Sequence, residues 1–449
     1  MKIKDVILIN PPCKLLDEDN PEENLGLSSI AAYLEKEGYM VGIYEMTGEG
    51  DFRQKLQGIT AAKIYGISCF TTNLHFTVEI VKYIRKTYPE SLVYIGGVHA
   101  TAMPEETLDV TGANGVVAGE GEIIFAEIVN KVLSGTVPKG IFYGKSVSDL
   151  DELPFPERNL VNREHFSRKL NGEKCISMLT SRGCHFSCLH CNSIIMGGGN
   201  KNVRFRSVKN IIAEIQSLKQ MGYHQIRFND DNFTANPNLP ELLKAIKKEN
   251  IEFRVFGRVE YLTDENCRLL KEAGCAMCSI GLESYNPGNL KFLGKYSMLK
   301  YFGQLENTCK YGITTRASFM VGLPYDSDET IDYYFGESGK HLKFDEFAIY
   351  PLIPYPGTPI AINPEKYGYE IVNTDYEKYL QIGRNRFAIY ALGFNNGINF
   401  FTPDDVKRFH NKANEILGKY KTHMKDSSVS STHNTVSFLS TCHNVKKRR

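Results

Sequence analysis

Short apolar runs alternate with amphipathic stretches in two successive blocks, an order that few architectures other than layered α/β folds accept. In the first block Val6-Ile7-Leu8-Ile9 reads as a strand closed by Asn10-Pro11-Pro12, and residues 28–37 read as a helix stopped by Gly38. Strand-like runs follow at 41–44, 64–68, 92–95 and 115–117, with helical stretches at 74–87 and 123–133. Five strands alternating with helices over residues 1–145 predict a doubly wound parallel sheet. Ligands of such sheets bind outside the carboxyl ends of the strands. Those ends carry Pro11-Pro12, Ser68, Gly96-Gly97 and Gly119-Glu120-Gly121-Glu122. Glycine there lets a backbone approach a flat or bulky ligand closely, and it serves tight turns equally well.

Residues 146–170 read as a linker, because Pro154 and Pro156 resist helix and remove hydrogen-bond donors. A second series then places strands at 175–180, 225–229, 253–257, 277–281, 315–321 and 346–350, with helices at 208–220, 240–249, 264–273 and 299–311. Six β/α repeats over 171–400 close most of a barrel of the TIM type, whose chemistry sits at the carboxyl ends of its strands. Residues 401–449 read as a C-terminal helix and a disordered tail, since 426–434 is polar and Lys446-Lys447-Arg448-Arg449 is basic.

A chain of 449 residues with 42% hydrophobic content supports two or three such domains. Its formal charge of +1 gives no field that would gather nucleic acid or an anionic membrane. No apolar run approaches the roughly 20 residues that span a bilayer, and the N-terminus runs into the first strand without a signal-like segment. A cytoplasmic enzyme is expected. The cytosol keeps thiols reduced, so the eleven cysteines predict no disulfide framework. Most of them sit singly in apolar segments, as buried free thiols do.

Three cysteines, however, fall within eight residues, in Ser181-Arg182-Gly183-Cys184-His185-Phe186-Ser187-Cys188-Leu189-His190-Cys191. Residue counting alone gives C-x-x-x-C-x-x-C roughly 0.007 times per chain of this composition, so the spacing carries information. Such a loop suits three thiolates around one corner of an iron–sulfur cubane, leaving one iron open. A structural zinc site would need a fourth ligand, which His185 or His190 would supply. Cys275-Ala276-Met277-Cys278, with Cys267 upstream, has C-x-x-C form as well. A buried strand there would aim the two thiols to opposite faces, which favours core packing over an auxiliary cluster.

Several short motifs now stand in order: Tyr94-Ile95-Gly96-Gly97-Val98-His99, Gly119-Glu120-Gly121-Glu122, Leu153-Pro154-Phe155-Pro156, Thr180-Ser181-Arg182-Gly183-Cys184, Asn229-Asp230-Asp231-Asn232, Gly281-Leu282-Glu283-Ser284 and Gly322-Leu323-Pro324. With them, residues 1 to about 400 resemble the radical S-adenosylmethionine enzymes that carry an N-terminal cobalamin-binding domain. The resemblance implies a [4Fe–4S] cluster on Cys184, Cys188 and Cys191, whose open iron takes the amino and carboxylate groups of S-adenosylmethionine. It implies that Asp230, Asp231 and Asn232 meet that amino group and that Glu283 meets the cosubstrate, at its ribose hydroxyls. Arg258 would pair with the methionine carboxylate, for which a guanidinium fork is suited, unless it forms a plain surface ion pair. His190 stands where the family often has an aromatic residue near adenine. An imidazole can stack, but it titrates near neutrality.

Cobalamin is expected at the strand ends of the first domain, against Ser68, Gly96, Gly97, Gly119 and Glu120. The chain lacks the D-x-H-x-x-G pattern, and His75 and His99 read as hydrogen-bonded structural residues. No histidine is therefore expected beneath cobalt, an arrangement common in the subgroup. The implied chemistry is reductive cleavage of S-adenosylmethionine to a 5′-deoxyadenosyl radical, hydrogen removal from an unactivated carbon, and methyl transfer from methylcobalamin. A radical dehydration, cyclisation or rearrangement with a vestigial cobalamin domain is the alternative within the class. A metal-binding protein without turnover is the alternative outside it. Implied partners are a small-molecule substrate and an electron donor such as flavodoxin or ferredoxin, with neither nucleic acid nor membrane.

Overall fold

Strands in the first block are apolar along their length rather than in alternation, so each must bury both faces. The computed structural model describes residues 3–12, 22–48, 50–196, 202–329 and 344–371, with Asp375, Tyr376, Tyr379, Arg408, Asn411 and Thr435–Ser437. Its first unit runs β1 (Lys4–Asn10), α1 (Leu25–Lys36), β2 (Val41–Glu45), α2 (Phe52–Gln57), β3 (Ala62–Ser68), α3 (Leu74–Thr87), β4 (Leu92–Gly96), α4 (Val98–Ala102), α5 (Pro104–Thr111), β5 (Gly115–Gly119), α6 (Glu122–Leu133) and β6 (Gly140–Gly144). The six strands pair in parallel in the order β2-β1-β3-β4-β5-β6. Val6, Leu8, Ile64 and Tyr94 pack with α1 and α6 on one face, while Ile7, Ile67, Val93 and Ile95 pack with α3 on the other. Winding reverses between β1 and β3, which opens a crevice at their carboxyl ends. The sequence predicts five strands; the sixth, whose short Ile141–Tyr143 run lies between two glycines and leaves Tyr143 exposed, is not among them.

The second unit contains β7 (Lys169–Leu170), β8 (Glu173–Met178), β9 (Ser181–Arg182), α7 (Ser193–Met196), β10 (Arg204–Phe205), α8 (Val208–Gln220), β11 (Gln225–Phe228), α9 (Leu239–Glu249), β12 (Glu252–Gly257), α10 (Asp264–Glu272), β13 (Cys275–Glu283), α11 (Pro287–Phe292), α12 (Leu305–Tyr311), β14 (Thr314–Val321) and β15 (Glu346–Pro351). Strands β8, β11, β12, β13, β14 and β15 lie side by side and parallel, forming an open half-barrel. Alternation is clear here. Ile226, Phe228, Phe253, Val255, Ile280, Ala317 and Phe319 enter the core that also takes the helices, so the residues between them face the concave side.

Two expectations need correction. Cys275 and Cys278 are both buried in that core with Cys267, so they do not point apart. A register shift between β12 and β13 at Phe253/Arg254 interrupts the strict alternation that would separate two positions three apart. Within the supposed tail, β16 (Thr435–Ser437) pairs antiparallel with β15, although three short residues gave no strand signal. Otherwise only Arg408 and Asn411 of 401–449 are described.

Candidate active site

The cysteine loop leaves β9 through Gly183, whose φ of +98° and a would-be Cβ 2.9 Å from the Asn202 carbonyl oxygen exclude larger residues. Cys188 is buried while Cys184 and Cys191 are partly exposed, and all three are free thiols. The Cys191 amide donates to the Cys188 carbonyl at 3.1 Å, which tightens the turn. Cys191 Sγ lies 3.2 Å from Ser193 Oγ, and Ser193 donates to Asp231 at 2.7 Å. Burial pushes the Cys184 and Cys191 thiols up. Among the described residues no three His, Cys, Asp or Glu side chains converge on a point that would hold one metal ion. A cubane differs from a zinc ion in asking one thiolate of each of three irons.

Around this loop stand the charged residues singled out in the sequence. Arg258 is buried, with its guanidinium carbon 3.6 Å from the centre of the Phe186 ring and Nη1 3.7 Å from Cys188 Sγ. Its Nε and Nη2 are occupied by Glu260, the closer contact being 2.6 Å. Arg258 is thus neither a surface pair nor an open fork for a carboxylate. Glu283 adopts φ +62°, rare for a residue with a Cβ, where β13 slips its register against β14. Its Oε1 lies 2.8 Å from Lys295 Nζ and 3.9 Å from His190 Nε2. Burial opposes the charge on Glu283, but Lys295 and then His190 hold its carboxyl below the usual range. Burial pushes His190 down to about 4, so its ring is neutral near pH 7.

Asp230, Asp231 and Asn232 part company. Asp230 Oδ1 accepts from the Thr180 amide, Thr180 Oγ1 and Ser181 Oγ, tying the ends of β8 and β11 together. Burial pushes this carboxyl up to about 6. Asn232 accepts from Thr234 Oγ1. Only Asp231 of the three lines the neighbouring cavity.

That cavity, about 410 Å³, spans the crevice of the first sheet and the mouth of the half-barrel. From the sheet come Asn24, Gly26, Ser68, Gly96, Gly97, Gly119 and Glu120; from the barrel side come Arg182, Ser193, Asn229 and Asp231. Asn24 braces the floor by donating to Asn10 and Ser68 at 3.0 and 3.1 Å. A Cβ on Gly96 would meet only the Val117 carbonyl oxygen, at 3.7 Å, so this backbone is bared to the cavity. Gly97 differs, since its Cβ would stand 2.7 Å from the Cys69 carbonyl oxygen and its φ is +100°. Neither His75 nor His99 lines the cavity. His99 is buried, with Nδ1 3.1 Å from Thr71 Oγ1.

Glu120 has a task beyond the one expected. Its carboxylate pairs with Arg204 and, at 3.2 Å, with Arg182, while Arg182 also pairs with Glu122 at 2.6 Å. The loop before α6 is thereby clamped to the β9–β10 ribbon that launches the cysteine loop. A second tie is Arg158 in the linker, 2% exposed, which pairs with Glu23 at 3.2 Å and Glu214 at 3.0 Å. Sequence reasoning missed Lys295, Ser193, Arg204 and Asn24. Each acts through a partner distant in sequence and lies in no short motif.

A crevice that opens onto the cysteine-bearing mouth of a half-barrel defines a two-cofactor enzyme. The model of the radical SAM superfamily matches residues 178–335, and that of the B12 binding domain matches 19–129. The chain belongs to the radical S-adenosylmethionine enzymes with a B12-binding domain, whose cofactors are a [4Fe–4S] cluster, S-adenosylmethionine and cobalamin. It is 28% identical to an uncharacterized methyltransferase of Pyrococcus horikoshii, over 80% of this chain and 82% of that one. It is 26% identical to the cytidylyl-2-hydroxyethylphosphonate methyltransferase of Streptomyces wedmorensis, over 78% and 80%. The radical S-adenosylmethionine methyltransferase TsrM from Kitasatospora setae, solved with cobalamin and a [4Fe–4S] cluster, shares the fold at a TM-score of 0.68 and 17% identity, over 96% of this chain and 94% of that one. No helix among the described residues is long and apolar enough to cross a membrane.

Proposed function

We propose that Cys184, Cys188 and Cys191 hold the cluster and that the enzyme methylates an unactivated carbon of a small molecule with cobalamin seated in the shared cavity. The observation that carries this reading is the single cavity joining Gly96 and Ser68 to Ser193 and Asp231, beside the cysteine loop. When bound, these groups supply an electron that cleaves S-adenosylmethionine to a 5′-deoxyadenosyl radical, and a transferable methyl group. The chain's own residues orient and enclose. Ser193 and Asp231 fix Cys191, and Arg258 places its guanidinium beside Cys188. Lys295 keeps Glu283 ionised, ready to accept hydrogen bonds from cosubstrate hydroxyls. Bare backbone at Gly96 admits a corrin, and the substrate lies on the concave side of the barrel beneath the mouth. Flavodoxin or ferredoxin in the cytosol would supply the electron.

Anaerobically reconstituted enzyme, given dithionite and S-adenosylmethionine, is expected to release 5′-deoxyadenosine, and Cys184→Ala, Cys188→Ala and Cys191→Ala to lose both iron and release. Product formation by any of these variants at the parent rate would refute the ligand assignment.

A further inference from the structure

Ser193 stands between the cysteine loop and the cavity, and its hydrogen bonds cannot all survive metal ligation. With Cys191 as a thiol, a chain of donors runs outward. The thiol donates to Ser193 Oγ at 3.2 Å, and the Ser193 hydroxyl donates to Asp231 Oδ1 at 2.7 Å. Each proton then has one acceptor. A cysteine that holds iron is a thiolate and can only accept. Once Cys191 is a ligand, the single proton of the Ser193 hydroxyl faces two acceptors, the sulfur and the carboxylate.

Which acceptor wins is set by what else reaches Asp231. A hydrogen bond to an ionised carboxylate is roughly twice as strong as one between neutral groups. Among the described residues Ser193 is the one group that bonds to Asp231, and no cation pairs with it. Its neighbour Asp230 is taken by Thr180 and Ser181. Asp231 is instead exposed, and it lines the cavity together with Ser193. An occupant of the cavity that brings a cation to this carboxylate weakens its hold on the hydroxyl. The hydroxyl then turns to Cys191. A hydrogen bond donated to a cluster sulfur favours the more negative, reduced cluster, because such bonds help to set the potential.

We propose that, with Cys191 a cluster ligand as read above, Ser193 is a positioning residue that couples electron uptake to occupation of the cavity through Asp231. While Asp231 is unpaired, the hydroxyl stays on the carboxylate and the cluster is harder to reduce. When an ammonium group pairs with Asp231, the hydroxyl moves to the sulfur and the cluster is easier to reduce. The amino-acid end of S-adenosylmethionine carries such a group. No proton changes owner: Ser193 Oγ keeps its hydrogen, one hydrogen bond to oxygen breaks and one to sulfur forms. The single electron comes from the external donor. An enzyme with nothing on Asp231 thus resists reduction.

Potentiometric titration of the anaerobically reconstituted enzyme tests this, with the reduced cluster read by its electron paramagnetic resonance signal. The probe, at saturation, is S-adenosylhomocysteine, which has the amino group but no sulfonium to cleave. It is expected to favour reduction of the parent about tenfold more than of Ser193→Ala, a difference of about 59 mV for one electron. Ser193→Thr keeps the hydroxyl and should restore the parent's response. Asp231→Ala leaves the hydroxyl a single acceptor, so without the probe it should be reduced more easily than the parent. Its response to the probe should match that of Ser193→Ala, and this arm stands even where Ser193→Ala loses iron. Loss of the Asp231 charge alone would act equally with or without the hydroxyl. The effect of Asp231→Ala should instead shrink in a Ser193→Ala background. Equal probe responses in the parent and in both single variants, or an Asp231→Ala effect of one size in both backgrounds, would overturn the proposal. Iron missing from the parent would instead refute the cluster assignment, and metal analysis reads that separately.

Discussion

Gly96 and Gly97 adjoin in sequence but play different parts. A side chain on Gly96 would project into the cavity without meeting backbone, whereas one on Gly97 would collide with Cys69. Gly96→Leu is therefore expected to cut bound cobalt per chain at least tenfold, leaving iron intact and stability within about 1 kcal/mol. Gly97→Ala should cost about 1–3 kcal/mol through its positive φ, so its cobalt content reports folding as well as binding. Metal analysis with urea unfolding separates the two, and undiminished cobalt in Gly96→Leu would displace cobalamin from this cavity. The glycine pair was visible in the sequence, but which glycine opens onto the cavity depends on the β3–β4 pairing and was not. Asp230 shows the same limit. Its motif was legible, while its service to Thr180 and Ser181 required three dimensions.

Among elements, the clamp between the loop before α6 and the β9–β10 ribbon links the cobalamin-type sheet to the strand that launches the cysteine loop. Arg182 is its centre, and Glu122 beneath it is 4% exposed. Arg182→Met leaves that carboxylate buried without its cation and is expected to destabilise by about 3 kcal/mol. Glu122→Gln in the same chain should recover much of the loss. A double-mutant cycle in urea would then give a coupling energy above ~1 kcal/mol, and strict additivity would show the pair to be incidental. Elements with strong periodicity were readable at the sequence level, such as α3 and α8, which begin and end where their apolar spacing does. Edge strands were not. The pairs β7, β9 and β10 are two residues long and owe their conformation to partners, not to propensity.

For the whole molecule, acid is the informative perturbation. Burial holds His99 at about 4 against an ordinary 6.5, with Thr71 on Nδ1 and the Tyr376 ring 5.1 Å away, itself bonded to Glu106. The unfolded chain therefore binds the extra proton first. His99 contributes stability in full above pH 6.5, and the contribution is lost as pH falls through about 4. Asp230 and Asp326, raised by burial to about 6 and about 7, act oppositely, contributing most in acid and losing that contribution as pH rises through those values. The difference between parent and His99→Gln isolates one limb. Urea unfolding should show the parent losing up to about 3 kcal/mol more than the variant between pH 6.5 and 4. Parallel profiles would place the ring in water.

Arg158 carries a consequence for heredity. It sits in the proline-rich joint, yet its partners Glu23 and Glu214 belong to the units on either side. A recombination crossover at that joint would take the cation from one parent and a carboxylate from the other. Unless both parents share the triad, the chimera inherits a buried cation that lacks one of its two carboxylate partners. The two halves, each resembling a portable module, therefore exchange at a structural cost unless the triad travels with them.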